Sequence, residues 1–118
     1  MLAQCHTKGV IYRDVKPDNF LFLTPEPDSP LKATDFGLAC YFNRGDVLTR
    51  RCGTPSYIAP EVVLRSYGPE ADLWSAGITM YQLLSGRLPF SDTVTPKNRC
   101  VVEELSGNFP ARSLPTPC

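Results

Sequence analysis

Twelve prolines in 118 residues set the first limit on what this chain can fold into. That is about twice the ordinary usage of ~5%. Each proline fixes φ and removes a backbone donor, so neither a helical bundle nor a regular sheet throughout is open to the chain. The sequence therefore asks for many loops with short elements between them. Hydrophobic residues make up 42%, enough for a core to form, and the length fits one small domain. Twelve Lys and Arg balance twelve Asp and Glu, for a formal net charge of +0. That balance gives no electrostatic basis for a nucleic-acid or membrane-surface binder.

Five cysteines (Cys5, Cys40, Cys52, Cys100 and Cys118) and a single histidine, His6, offer no Cys-x-x-Cys or Cys/His spacing for zinc. The N-terminal residues lack the layout of a secretory signal. The longest uncharged apolar stretch, 73–86, is too short for a membrane span of ~20 residues. These features predict a cytoplasmic protein with packed thiols and no membrane span. Cys40 and Cys52, in a segment without periodicity, are candidate oxidation sites.

Along the chain, Gly9 follows a fragment that reads as the last turn of a helix, and 10–12 as a very short β segment. Residues 13–19 form a loop. The apolar run 20–23 has strand character. A proline-rich turn follows at 24–30, and 31–34 is the return strand of a hairpin. Residues 35–60 show little periodicity, as functional or mobile loops do. One or two helical turns are expected over 61–65, after Pro60. The clearest helix spans 69–85, with Glu70 and Asp72 at its positive end and Gly86 as its stop. Its apolar members, Trp74, Ile78, Met80 and Leu83 among them, spread round the whole cylinder, as in a helix inside a larger protein. The spacing over 101–105 suggests a helical turn, and 91–118 is expected to be a divergent, poorly ordered tail.

Two motifs carry chemistry. One is Tyr12-Arg13-Asp14-Val15-Lys16-Pro17-Asp18-Asn19, and the other is Asp35-Phe36-Gly37 after the hairpin. A hairpin brings the residue before its first strand beside the residue after its second. Asn19 and Asp35 thus meet at one end, as two oxygen ligands of the type that Mg²⁺ prefers. Asp14 is a carboxylate able to position or deprotonate a hydroxyl. Lys16 is an ammonium able to neutralise charge on a transferred phosphoryl group.

These motifs, with Gly53-Thr54-Pro55-Ser56-Tyr57, Ala59-Pro60-Glu61 and Asp72-Leu73-Trp74-Ser75-Ala76-Gly77 in that order, resemble the middle of a eukaryotic protein kinase domain. The resemblance covers residues 1–90. It implies an α+β fold, a fragment of the C-terminal lobe, mostly helical with a short β-hairpin beside the catalytic loop. It implies ATP and Mg²⁺ as cofactors and proteins as substrates, phosphorylated on serine or threonine. By the same resemblance Asp14 is the catalytic base or orienter and Lys16 contacts the γ-phosphate. Asn19 and Asp35 hold Mg²⁺, and Leu21 lies beneath the adenine. Thr54 helps floor the substrate site, and Asp18 reads basic substrate side chains. Arg13 pairs with Asp46 or a phosphorylated Thr49. Asp72 braces the catalytic loop, and Glu61 awaits an arginine from later helices. Lys32 to Leu38 and Tyr67 to Gly77 look most like the calcium-dependent and calmodulin-dependent kinases.

Tyr12 stands where the family usually has histidine, as a substitution that fills the same packing position. Gly-x-Gly-x-x-Gly occurs nowhere in the 118 residues, nor does the lysine that pins the α- and β-phosphates in kinases. No EF-hand loop is present. The expectation is therefore the middle of a larger domain, cut at both ends and inactive or nearly so by itself. The alternatives are a non-catalytic substrate-binding or decoy module, or an incomplete gene product. Apolar surface left on the long helix predicts association.

Overall fold

The computed structural model describes residues 1–90. The tail and the turn expected over 101–105 lie outside the described residues. Helix α1 (Leu2–Thr7) ends as Gly9 takes φ +70, and strand β1 (Val10–Ile11) begins. A 3-10 turn at Pro17–Asn19 leads into β2 (Phe20–Phe22), which pairs antiparallel with β3 (Leu31–Ala33). Strand β4 (Cys40–Tyr41) returns to pair with β1, and helices α2 (Pro60–Val63) and α3 (Glu70–Ser85) complete the described chain. The result is helices with two small antiparallel sheets, an α+β arrangement.

The proline-rich turn closes the hairpin as its sequence dictates. The Leu23 N–H reaches the Pro30 carbonyl at 3.1 Å, and the Thr24 N–H reaches the Ser29 hydroxyl at 2.8 Å. Pro30 has no N–H to return to the ladder, which stops there, and the Ser29 hydroxyl takes the next free N–H, that of Thr24. Strand β4 was not legible in the sequence: a two-residue strand is too short to show a period.

The core gathers Ile11, Cys40, Leu48, Ile58, Ala59, Val62, Val63, Tyr67 and Ala71. Four of these, Cys40, Leu48, Ile58 and Ala59, lie in 35–60, so the aperiodic stretch is a main source of buried surface. Leu48 and Tyr67 exchange backbone hydrogen bonds at 2.8 and 3.1 Å, which staples that stretch to the loop before α3. Helix α2 stops at Val63, earlier than expected, because Arg65 turns to φ +59.

Helix α3 presents an unexpected face to this core. Its buried residues are Ala71, Asp72, Ser75 and Ile78, while Leu73, Met80, Leu83 and Leu84 are exposed. Small and polar side chains face inward because they serve the loops beneath them. Ser75 donates to the Tyr57 carbonyl at 2.7 Å, and the Tyr57 hydroxyl donates to Gln82 at 2.6 Å. Gly86, at φ +77, ends the helix in the left-handed cap expected of glycine. No described helix is long and apolar enough to cross a membrane.

Candidate active site

The site is built on Asp72, whose side chain is 1% exposed. Its Oδ2 accepts the Tyr12 N–H and its Oδ1 the Arg13 N–H, both at 2.8 Å. A buried carboxylate needs such donors, since desolvating the charge without them is costly. The third partner is His6, with Nε2 2.8 Å from Asp72 Oδ2. One side chain on α3 thus ties down α1 and the loop after β1.

That loop is strained where it is held. Arg13 has φ +67, a left-handed conformation that costs a non-glycine residue about 1–2 kcal/mol. Besides the Asp72 bond, the Arg13 Nε donates to the Leu38 carbonyl at 2.6 Å and its Nη1 to the Tyr67 hydroxyl at 3.3 Å. Among the described residues no carboxylate pairs with Arg13. Asp46 instead accepts the Asn43 N–H at 2.7 Å, and Thr49 is exposed.

Asp14 follows immediately and is buried at 8% exposure. Its Oδ1 accepts the Thr54 hydroxyl at 2.8 Å, and its Oδ2 accepts the Asn19 Nδ2 at 3.0 Å. The same Nδ2 also donates to the Asp14 carbonyl at 2.8 Å. Both carboxylate oxygens are engaged, so the rotamer is fixed by two segments at once. The carbonyl of half-buried Lys16 accepts the Asn19 N–H at 3.1 Å, and its ammonium has no ion-pair partner among the described residues.

The hairpin joins Asn19 to the Asp-Phe-Gly segment. The Asn19 carbonyl accepts the Thr34 N–H at 2.8 Å, continuing the β2–β3 ladder one step outward. Asp35 comes next, at φ +45, with its Oδ1 accepting the Gly37 N–H at 3.1 Å. Asn19 spends its Nδ2 hydrogens on Asp14, which leaves Oδ1 as the amide's acceptor. The amide oxygen and the carboxylate, brought to the same end of the hairpin, are donor types that could hold Mg²⁺, a cation that takes few protein ligands and completes its shell with water and phosphate. No group of three or more His, Cys, Asp or Glu among the described residues forms a denser metal site.

Tyr12 sits beneath this junction, with no exposed surface. Its hydroxyl donates to the Thr34 carbonyl at 2.6 Å, and its ring meets Phe36 edge-on at 5.1 Å. Burial, reinforced by the negative charges of Asp14 and Asp35, pushes the phenol up to about 12. Tyr12 therefore stays a neutral donor at physiological pH.

The remaining sequence-derived residues lie apart from this cluster. Leu21 is exposed on β2, opposite Lys32. Its neighbours Phe20 and Phe22 line the opposite side, an apolar groove of about 690 Å³ that also touches Val15, Ala76 and Leu83. Asp18 is exposed, and its charge is felt at Tyr57. Glu61 stands in the first turn of α2 with no ion pair among the described residues. Cys52 is buried, 3.9 Å from the Tyr67 hydroxyl, and burial raises its thiol, which disfavours the reactive thiolate. His6, Tyr67 and Ser75 also hold the site together. Tyr67 and Ser75 lie in the 67–77 motif without a role read for them, and His6 lies in no motif, so the contacts of distant segments alone give them their parts.

The protein kinase domain family matches residues 1–112. The chain belongs to this family. Among curated relatives, the kinase domain is 58% identical over 90 residues to Calcium-dependent protein kinase 2 of Oryza sativa subsp. japonica, covering 76% of this chain and 18% of that protein. It is 57% identical over 90 residues to Calcium-dependent protein kinase 25 of Arabidopsis thaliana, covering 76% of this chain and 17% of that one. Against Calcium-dependent protein kinase 26 of Oryza sativa subsp. japonica, identity is 48% over 113 residues, or 96% of this chain and 20% of the relative. The chain thus spans about a fifth of the length of these relatives.

Proposed function

We propose that this kinase domain contributes the catalytic-loop half of a site that transfers the ATP γ-phosphoryl group to serine or threonine of protein substrates. The observation that carries this reading is the fixed Asp14 carboxylate, held by Asn19 and Thr54 on a loop anchored by Asp72. Residues 1–90 correspond to part of the kinase C-terminal lobe, in a cytoplasmic protein of the calcium-dependent kinase type. No EF-hand loop occurs in the 118 residues, so calcium control does not reside in them.

Asp14 orients the acceptor hydroxyl and takes its proton. Its two hydrogen bonds prevent the carboxylate from turning away, so the geometry is set before substrate arrives. Asn19 and Asp35 would hold Mg²⁺, which would supply charge neutralisation on the phosphates of bound ATP. Lys16 adds a positive charge for the transferred group. Tyr12 keeps the Asp35 segment in register through the Thr34 carbonyl. Leu21 supports the adenine, Thr54 floors the substrate site, and Asp18 attracts a basic substrate side chain. Thr49 is the activation-segment acceptor whose phosphate Arg13 would receive. Thr49→Ala leaving an activated enzyme unchanged would remove that role. Glu61 and Asp72 are structural.

The 118 residues by themselves should turn over poorly, because neither the glycine-rich loop nor its lysine is among them. Two experiments separate the parts of this reading. Robust phosphoryl transfer by Met1–Cys118, abolished by Asp35→Ala, would refute the inactivity of these residues alone. Exchanging residues 1–90 into the matching segment of the rice Calcium-dependent protein kinase 2 should give an active chimaera that Asp14→Asn silences. A folded but inactive chimaera would favour the substrate-binding alternative.

A further inference from the structure

The sequence contains five Ser-Pro or Thr-Pro steps, and three of them, Thr24-Pro25, Ser29-Pro30 and Thr54-Pro55, fall in the described residues. Proline-directed kinases recognise such steps because proline offers no N–H and so suits a pocket without an acceptor for one. The sequence alone ranks the three equally. Their hydroxyls differ sharply in the structure. Thr54 is half-buried and its hydroxyl is spent on Asp14 at 2.8 Å. Ser29 is half-buried, accepts the Thr24 N–H at 2.8 Å and donates to the Pro30 carbonyl at 3.2 Å, so its hydroxyl closes the hairpin. Thr24 is exposed at the neck of the turn, and its hydroxyl has no hydrogen-bond partner among the described residues.

We propose that Thr24 is a phosphorylation site for a proline-directed serine/threonine kinase, and that the β2–β3 turn presents it in preference to Ser29 and Thr54. In the transfer, Thr24 Oγ1 attacks the γ-phosphorus of ATP. The new O–P bond forms as the bond to the β–γ bridging oxygen breaks, and that electron pair leaves on ADP. The hydroxyl proton passes to the base of the modifying kinase. The product adds a charge of about −1.5 to −2. Within 24–30 the other charges are Glu26 and Asp28, and no cation lies in the turn. The phosphate therefore repels its neighbours and loosens the closure at Leu23 and Thr24. This inference concerns modification by another enzyme and does not depend on the activity of the chain itself.

The test uses the full 118-residue chain, a purified proline-directed kinase and Mg-ATP, with the added kinase omitted as control, and maps phosphate by mass spectrometry. Thr24 should be labelled at least roughly tenfold faster than Ser29 or Thr54, the cost of freeing one engaged hydroxyl. In a synthetic peptide of residues 20–35 the preference over Ser29 should vanish. Labelling of Ser29 or Thr54 first, or the same preference in the peptide, would overturn the proposal. Mapping on the unmodified chain needs no variant to fold. In the phosphorylated chain, amide exchange at Leu23 and Thr24 should quicken. Unchanged exchange would overturn the loosening of the turn.

Discussion

Replacing Asp72 with asparagine removes one acceptor from a side chain that serves three donors. In the native structure its oxygens receive the Tyr12 N–H, the Arg13 N–H and His6 Nε2, all at 2.8 Å, at a site 1% exposed. Asparagine keeps one carbonyl oxygen and turns an N–H₂ group toward at least one buried donor. A buried N–H left without its acceptor costs about 1–3 kcal/mol. The surviving bond also loses its charge assistance, roughly half its strength. Together these give a loss of about 2–4 kcal/mol, a large part of the ~5–15 kcal/mol that holds a typical domain together. Arg13 at φ +67 would lose the bond that helps hold its strained backbone. Urea unfolding of the wild-type chain, Asp72→Asn, His6→Ala and the double variant should show the single loss. The double variant should fall short of additivity by about 1 kcal/mol, as contacting residues do. Hydrogen exchange should lose protection first at the Tyr12 and Arg13 amides. An Asp72→Asn chain within about 0.5 kcal/mol of wild type, with those amides still protected, would refute Asp72 as the anchor.

Three further outcomes are expected. Gly53 lies at φ +118, and a Cβ there would stand 2.5 Å from Ile58 Cγ2 and 2.9 Å from the Arg13 carbonyl oxygen. Gly53→Ala should therefore cost about 2–4 kcal/mol in denaturant unfolding, and a neutral substitution would contradict that geometry. Tyr12 and Tyr67 are each held up to about 12 by burial, against an ordinary value near 10. The folded state prefers both phenols protonated, so their contribution is intact below pH ~10 and is lost as pH rises toward 12. Unfolding midpoints should fall over that window, and less steeply in Tyr12→Phe; a flat profile would contradict the burial. The exposed apolar side chains of α3, Leu73, Met80, Leu83 and Leu84 among them, should drive association of the 118-residue chain. Sedimentation showing a cooperatively unfolding monomer would count against it.

How much of this was legible in the sequence depends on how local the cause was. The hairpin could be read because its apolar strands flank a run of prolines, and its ends fix where Asn19 and Asp35 must fall. The end of α3 could be read because Gly86 is a left-handed cap. Strand β4 and the burial of Leu48, Ile58 and Ala59 could not, because their partners are distant and their spacing follows no period. The inward face of α3 could not be read from its period, because its apolar members spread round the whole cylinder. Asp72 and Ser75 are buried there because loop N–H and carbonyl groups need partners. His6 had no motif at all, and only the 66-residue jump to Asp72 gives it a role.

In the proposed function, the hairpin sets Asn19 and Asp35 to hold a divalent cation with ATP beside the fixed carboxylate of Asp14. Mn²⁺ can stand in for Mg²⁺ and broaden nearby NMR signals through its unpaired electrons, even when binding is weak. Titrating Mn²⁺·ATP into the isotopically labelled 118-residue chain should selectively broaden the Asn19 side-chain amide and the backbone amides of Asp35 and Gly37. Asp35→Ala should abolish that selectivity while leaving the Tyr12 and Arg13 amides protected. Broadening spread over exposed carboxylates such as Glu26 and Asp28, or unchanged in Asp35→Ala, would rule out a cation held by Asn19 and Asp35.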